Sequence, residues 1–277
     1  MTSSSSPRGR SIEAVIFDKD GTLADACPFL RELASARAHA CAQALWQHAP
    51  DQARGYFDSL CTAFGVMLGG LEPNGLMATG TRQANEQAAM DLAVDMGKGL
   101  DEVQGLVPHI FADVERAVTC KAAKTPLFEG TRAMLAQLSL RPLKVGVLSS
   151  DSPANVLEFL NYYHVEQTVD CWRGTESRDL PKPNPDLFWQ LCDRLQVSPH
   201  RTLMVGDSWA DLEVTRNAGG AAFVSVGEIW GRPPVVGSDY VMTCWDDLLN
   251  LVDGYEKVHP AASSLASFSN GSHRKEI

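Results

Sequence analysis

Four short apolar runs, each bounded by small or polar residues, punctuate the chain: Ala14–Phe17, Leu143–Leu148, Thr202–Val205 and Ala221–Val226. Uninterrupted apolar runs of this kind fit strands buried on both faces, as in a parallel sheet. Val169–Cys171 and Tyr240–Met242 are weaker strand candidates. Between the runs lie segments whose apolar positions recur at helical spacing: Leu127–Leu138, Ala154–Tyr162, Pro185–Leu195, Ala210–Ala218 and Trp245–Val252. Strands alternating with helices predict an α/β fold, a doubly wound parallel sheet.

Residues 25–124 break the pattern. They are rich in Ala, Gln, Leu and Met and carry no segment that reads as a strand. Helices are predicted over Phe29–Trp46, Asp51–Phe64, Thr81–Met96 and Val107–Cys120, with glycine-rich Gly65–Gly75 as a loop. An all-α insertion, residues 25–124, thus interrupts an α/β core made of residues 11–24 and 125–257. Residues 1–10 and 258–277 are Ser-rich, and both are expected to be disordered tails.

Composition narrows the function classes. No apolar run approaches the roughly 20 residues of a membrane helix, and the Ser- and Arg-containing start lacks the apolar segment of a secretory signal. The net charge of −10 disfavours nonspecific binding to nucleic acid or to an anionic membrane. Seven scattered cysteines with no CxxC spacing read as reduced thiols in a cytoplasmic protein. The sequence fixes no oligomeric state.

The chemistry gathers at strand ends, where open α/β sheets bind ligands. Asp18 follows the first run, Ser149 the second, and Asp207 the third after Gly206. Asp18 and Asp20 are two carboxylates at one strand end, with Gly21 permitting a sharp turn. A divalent cation, or a proton on one of them, relieves their repulsion. A phosphoryl-transfer site can use both: Asp18 ionised to attack phosphorus, Asp20 to hand a proton to the leaving oxygen and recover one from water. Carboxylate attack on a phosphate dianion needs positive charge. Mg²⁺ is the hard cation suited to these oxygens. Lys182, in a proline-flanked loop, can add a fixed ammonium. Ser149 can donate to a phosphoryl oxygen. Asp211, four residues after Asp207, can hold the metal's water shell or pair with Lys182. Asp207 also reads as a helix N-cap, a place for which Ser208 competes.

Together these segments resemble the haloacid dehalogenase superfamily: Ala14-Val15-Ile16-Phe17-Asp18-Lys19-Asp20-Gly21-Thr22; Val145-Gly146-Val147-Leu148-Ser149; Lys182-Pro183-Asn184-Pro185-Asp186-Leu187-Phe188; and Gly206-Asp207-Ser208 with Asp211. The last motif departs from the family pattern in its tail, at Thr215 and Ala218-Gly219. The resemblance implies a Rossmann-like core with a helical cap inserted after the first motif. It also implies an aspartyl-phosphate on Asp18, Asp20 as acid and base, and Ser149 and Lys182 on the phosphoryl group. Mg²⁺ would be held by the Asp18 side chain, the Asp20 backbone carbonyl and Asp207, with Thr22 and Asp211 behind them.

Asp20 argues for phosphoryl transfer over dehalogenation, which has no leaving oxygen to protonate. The expected activity is hydrolysis of a small-molecule phosphate monoester, with 2-phosphoglycolate or a sugar phosphate as leading substrates. A β-phosphoglucomutase-like phosphomutase is the alternative, and a catalytically silent binding protein a third class. Substrate choice is expected in the insertion. There Arg82 either reaches a substrate anion or is a solvated first-turn residue, with Asn85 a weaker candidate on the same face. Lys98, Lys121 and Lys124 could form a Schiff base but read as solvated surface lysines. Lys19 is expected to point away from the site by strand alternation. Trp209 is expected in the core or as a pocket wall.

Overall fold

The structure, a computed structural model, describes residues 11–72, 75–118, 120–176, 178–227 and 232–254. Both expected tails lie outside the described residues. The chain enters through β1 (Ala14–Phe17). It then leaves the sheet for α1 (Cys27–Leu45), α2 (Pro50–Ala63), β2 (Val66–Met67), β3 (Gly70–Leu71), α3 (Leu76–Thr79), α4 (Arg82–Asp95) and α5 (Leu100–Ala117). After a 3₁₀ turn at Lys121–Lys124 it returns through α6 (Thr131–Leu138), β4 (Lys144–Leu148), α7 (Pro153–Tyr162), β5 (Cys171–Arg173) and α8 (Asp186–Leu195). It ends with β6 (Thr202–Gly206), α9 (Trp209–Ala218), β7 (Ala222–Ser225), β8 (Tyr240–Val241) and α10 (Trp245–Gly254).

Six strands form one sheet in the order β5-β4-β1-β6-β7-β8, every neighbouring pair parallel. The chain builds outward from β1 on one side, then restarts at β6 on the other. β1 therefore lies at the switch point, where neighbouring connections leave in opposite directions and open a crevice at the strand ends. All four β1 residues are buried, as a central strand covered by helices on both faces requires. Val15 and Phe17 pack with Val147, Val156 and Phe159 on one face, and Ala14 and Ile16 with Phe188, Leu191 and Leu212 on the other.

The insertion has its own apolar core, in which Leu33, Tyr56, Leu60, Phe64, Val107 and Phe111 are buried together. Its two ends meet. The Asp25 N–H donates to the Pro126 carbonyl at 2.8 Å, and Ala24 bridges Leu127.

Several expectations about the elements need correction, among them the helix start at Leu127, since α6 begins at Thr131 and Leu127 bridges Ala24 instead. The insertion is not purely helical, since β2 and β3 form a small antiparallel hairpin within Gly65–Gly75. α5 starts at Leu100, seven residues before the expected Val107, and runs through Pro108. Gly105 and Pro108 obscure its register, but Val103, Val107 and Phe111 recur every four residues and bury one face. β5 lies two residues beyond the expected Val169–Cys171. Asp170 is instead taken up by the β4 start, where its carboxylate accepts from the Val145 N–H at 2.8 Å. No helix among the described residues is long and apolar enough to cross a membrane. All seven cysteines are free thiols.

Candidate active site

Strand register assembles the site. Phe17 lies opposite Val147 on one neighbour and Val205 on the other. Asp18, Ser149 and Asp207 therefore emerge side by side where β1, β4 and β6 end. The Asp18 N–H still donates to the Val205 carbonyl at 2.9 Å, which fixes the backbone of the proposed nucleophile to the strand that delivers Asp207.

Asp18 continues the face of Ala14 and Ile16, toward α8 and α9. There Lys182 Nζ lies 2.6 Å from Asp18 Oδ1 and 2.6 Å from Asp211 Oδ1. The loop carrying Lys182 is pinned to α9 by the Asn217 amide, which donates to the Pro183 carbonyl at 3.0 Å. Burial would lower the Lys182 ammonium, but Asp18 and Asp211 outweigh it and hold the group above the ordinary lysine range. The other Asp211 oxygen accepts from Ser208 Oγ at 2.6 Å. Ser208 and Asp211 form the capping box of α9. This settles the competition at the helix start: Ser208 caps, and the Asp207 carboxylate faces the site instead.

Asp18, Asp207 and Asp211 each present an oxygen within 4.8 Å of the others. Burial raises the Asp18 carboxyl, Lys182 pulls it down, and Asp211 and Asp207 push it up again, to about 8. Burial and Asp211 raise Asp207 to about 7 against the pull of Arg232 and Lys182. Negative charge thus exceeds what Lys182 and Arg232 neutralise, and hard carboxylate oxygens are the donors Mg²⁺ takes. The buried Thr22 hydroxyl has no hydrogen-bond partner, so the turn after Asp18 keeps an unused polar group. These residues fit a small divalent cation. Arg232 Nη1 lies 3.0 Å from Asp207 Oδ2; it comes from the connection between β7 and β8, where no motif marked it.

Ser149 is buried, and its Oγ accepts from the Asp151 N–H at 3.1 Å. That contact leaves the hydroxyl hydrogen for a phosphoryl oxygen.

The Asp20 side chain is not in the carboxylate cluster. It turns to the opposite side, into a ring of alternating charge. Lys121 Nζ is 3.0 Å from Asp20 Oδ2 and 2.6 Å from Asp151 Oδ1. Lys19 Nζ pairs with Asp20 and lies 2.9 Å from Asp151 Oδ2. Burial would raise the Asp20 carboxyl, but Lys19 and Lys121 outweigh it and hold it well below the usual carboxylate range. The two ammonium groups thus favour the ionised form of Asp20, where the sequence expectation gives it the proton for the leaving oxygen.

Two lysines also need correction. Alternation puts Lys19 on the face of Val15 and Phe17, as expected, but there it is buried over the Phe159 ring and joined to Asp20. Lys121 is only 12% exposed and is no solvated surface lysine. Its signal was available. The insertion must end beside its start, so a residue just before Pro126 necessarily returns near Asp20. Asp151, two residues past Ser149, was missed. Lys98 and Lys124 are half-buried and paired with Glu102 and Glu32, and Lys98 also lies over the Trp46 ring.

Arg82 starts α4 and donates to Glu86 at 2.7 Å and to Glu115 at 2.8 Å. Asn85 is buried and donates to the Thr81 carbonyl at 2.8 Å, holding its own helix start. Neither meets the strand-end cluster. Trp209 is 62% exposed. It is the first residue of α9, whose buried face begins with Asp211 and Leu212.

A model of haloacid dehalogenase-like hydrolases matches residues 12–219. A phosphoglycolate phosphatase of Synechococcus elongatus is 26% identical over 251 residues, covering 87% of this chain and 97% of that protein. One from Psychrobacter arcticus is 22% identical over 90% of this chain and 98% of its own length. Among solved structures, a phosphatase from Thermococcus onnurineus superposes with a TM-score of 0.57 at 20% identity, over 89% of this chain and all of that one. With the family model covering most of the chain and the strand ends carrying its carboxylates and lysine, this protein belongs to the haloacid dehalogenase-like hydrolases.

Proposed function

We propose that the protein is a Mg²⁺-dependent phosphatase acting on a small phosphorylated metabolite, with Asp18 as nucleophile. The observation that carries this is the Asp18–Lys182 contact inside a three-carboxylate cluster at the sheet's switch point. The phosphatase relatives support the same reaction class. Seven free thiols suit a reducing, cytoplasmic setting.

Asp18 attacks phosphorus, the bond to the leaving oxygen breaks, and an aspartyl-phosphate forms. Lys182 and the Ser149 hydroxyl hold the phosphoryl oxygens, with Thr22 buried behind them. Asp18, Asp207 and the Asp20 backbone carbonyl would hold the metal; Asp211 fixes Lys182. Bound Mg²⁺ would offset the repulsion between Asp18 and the phosphoryl oxygens. Asp20 works on the leaving-group side with Lys121. Lys121 hands a proton from that contact to the departing oxygen, and Asp20 takes a proton from the water that cleaves the phosphoenzyme and returns it to Lys121.

Release of inorganic phosphate from a panel of monoesters at fixed Mg²⁺ tests this. Asp18→Asn is expected to abolish release. Full Mg²⁺-dependent turnover by that variant would overturn the proposal. With β-glucose 1-phosphate, free phosphate indicates hydrolysis, and glucose 6-phosphate would instead indicate a mutase.

A further inference from the structure

A cavity of about 440 Å³ opens beside the Asp20 charge ring and shares Lys121 and Asp151 with it. α1 contributes Phe29 and Leu33, α5 contributes Glu115, and α7 contributes Asn155 and Glu158. The insertion forms one wall and the core the other. A group leaving from phosphorus at Asp18, with its oxygen near Asp20 and Lys121, extends into this space.

The charges around the cavity can be matched one by one. Lys121 and Asp151 neutralise each other within the ring. Glu115 is taken by buried Arg37 and by Arg82. Glu158 has no side-chain partner among the described residues. It lies three residues after Asn155, on the same face of α7. The polar groups left to meet a ligand are thus one carboxylate, one amide and the Cys120 thiol. The excess charge is negative. An ionised carboxylate only accepts hydrogen bonds, so it calls for donors on the ligand and repels a second carboxylate.

We propose that this cavity holds the leaving group of the phosphate ester and that Glu158 selects one that donates hydrogen bonds and bears no negative charge. Polyols and amino alcohols share that chemistry; a carboxylate-bearing leaving group lacks it. The inference rests on the phosphatase reading and deepens it. Of the two leading substrate types it favours a sugar or polyol phosphate over 2-phosphoglycolate.

The test compares kcat/KM of the full-length, Mg²⁺-loaded protein for glycerol 3-phosphate, O-phosphoethanolamine and 2-phosphoglycolate, with p-nitrophenyl phosphate as a reference. Wild type is expected to prefer the first two to 2-phosphoglycolate, and the better of them tells polyol from amino alcohol. Glu158→Lys is expected to raise 2-phosphoglycolate relative to glycerol 3-phosphate by roughly three- to tenfold, the range for one partly exposed charge. Glu158→Gln should give a smaller shift in the same direction, and it keeps the test open if the lysine variant misfolds. An unmoved ratio in Glu158→Gln, or a wild-type preference for 2-phosphoglycolate over both others, overturns the inference. Those results leave the phosphatase reading intact if p-nitrophenyl phosphate is still hydrolysed and Asp18→Asn stops it. If wild type releases no phosphate from any ester, the earlier reading fails first.

Discussion

Lys121 donates to Asp20 across 101 residues of chain, at 3.0 Å. The closed ends of the insertion make that contact unavoidable, because Asp25 and Pro126 are hydrogen-bonded to each other. Asp20 leaves the sheet at one root of the insertion and Lys121 arrives at the other. The proposed proton-handling side of the site is therefore built from the junction itself, while the proposed phosphoryl side, Asp18 with Lys182 and Ser149, belongs to the strand ends and the loops that follow them.

Lys121→Met should uncouple the two sides. Lys19 still pairs with Asp20, so the carboxylate keeps its place but loses the ammonium on its leaving-group side. kcat for an alkyl phosphate is expected to fall about tenfold to a hundredfold, within the range for lost acid–base assistance. p-Nitrophenyl phosphate, whose leaving oxygen needs little protonation, should lose much less. Lys121→Arg should recover part of the loss. Equal losses on both esters would assign Lys121 a structural role only.

Removing Lys182 tests the other side. Lys182→Met leaves Asp18 and Asp211 buried without their ammonium, and breaking a buried pair from one end costs about 3–5 kcal/mol. Urea unfolding of the metal-free variant should show a loss of that order. Mg²⁺ should restore more stability to the variant than it adds to wild type, since it becomes the main source of positive charge for Asp18. Equal Mg²⁺ effects on the two proteins would argue against a metal beside Asp18.

The carboxylate cluster predicts a pH signature. Asp18 and Asp207 sit at about 8 and about 7 against an ordinary value of 3.8. For acids raised in this way the metal-free folded chain holds protons that the unfolded chain releases near pH 4. Their contribution to stability is therefore fully present at low pH and is lost as pH rises from about 4 through 7 to 8. Mg²⁺ would bind the deprotonated forms, so its uptake near neutral pH should release protons and tighten as pH rises toward about 8. Calorimetric titration in two buffers of different ionisation enthalpy reads the release directly. A binding heat independent of the buffer would count against it.

Much of the fold was legible because buried parallel strands are written as unbroken apolar runs; Ala14–Phe17 needs no correction. Asp18, Ser149 and Asp207 were legible for the same reason, since a strand end fixes where the next side chain emerges. Signals failed where position depends on packing between distant segments. Lys121 resembles a surface lysine until the junction closes over it, and Lys19, on the face expected by alternation, is buried only once α7 packs Phe159 against it. Arg82 resembles a free cation until α5 brings Glu115 against it. Trp209 reads as apolar, and only the orientation set by the Ser208 cap turns it outward.

The last prediction concerns two glycines that share a backbone conformation and differ in what surrounds them. Gly21 has φ +90°, and a Cβ there would lie 2.1 Å from Asp207 Oδ2. Gly219, ending α9, has φ +70° with nothing within 4 Å of a Cβ. Alanine at either position meets the left-handed strain of about 1–2 kcal/mol. Only Gly21→Ala also drives a methyl into a carboxylate of the cluster. Both variants should therefore lower the unfolding midpoint. In Gly219→Ala, Mg²⁺ should still raise the melting temperature by the wild-type amount, because Asp207 is undisturbed. In Gly21→Ala that rise should disappear along with phosphate release, because Asp207 must move or the turn carrying Asp20 must open. A normal Mg²⁺ response in Gly21→Ala would mean that Asp207 and the turn at Gly21 are not parts of one metal-holding unit, and the close approach between them would then be packing alone.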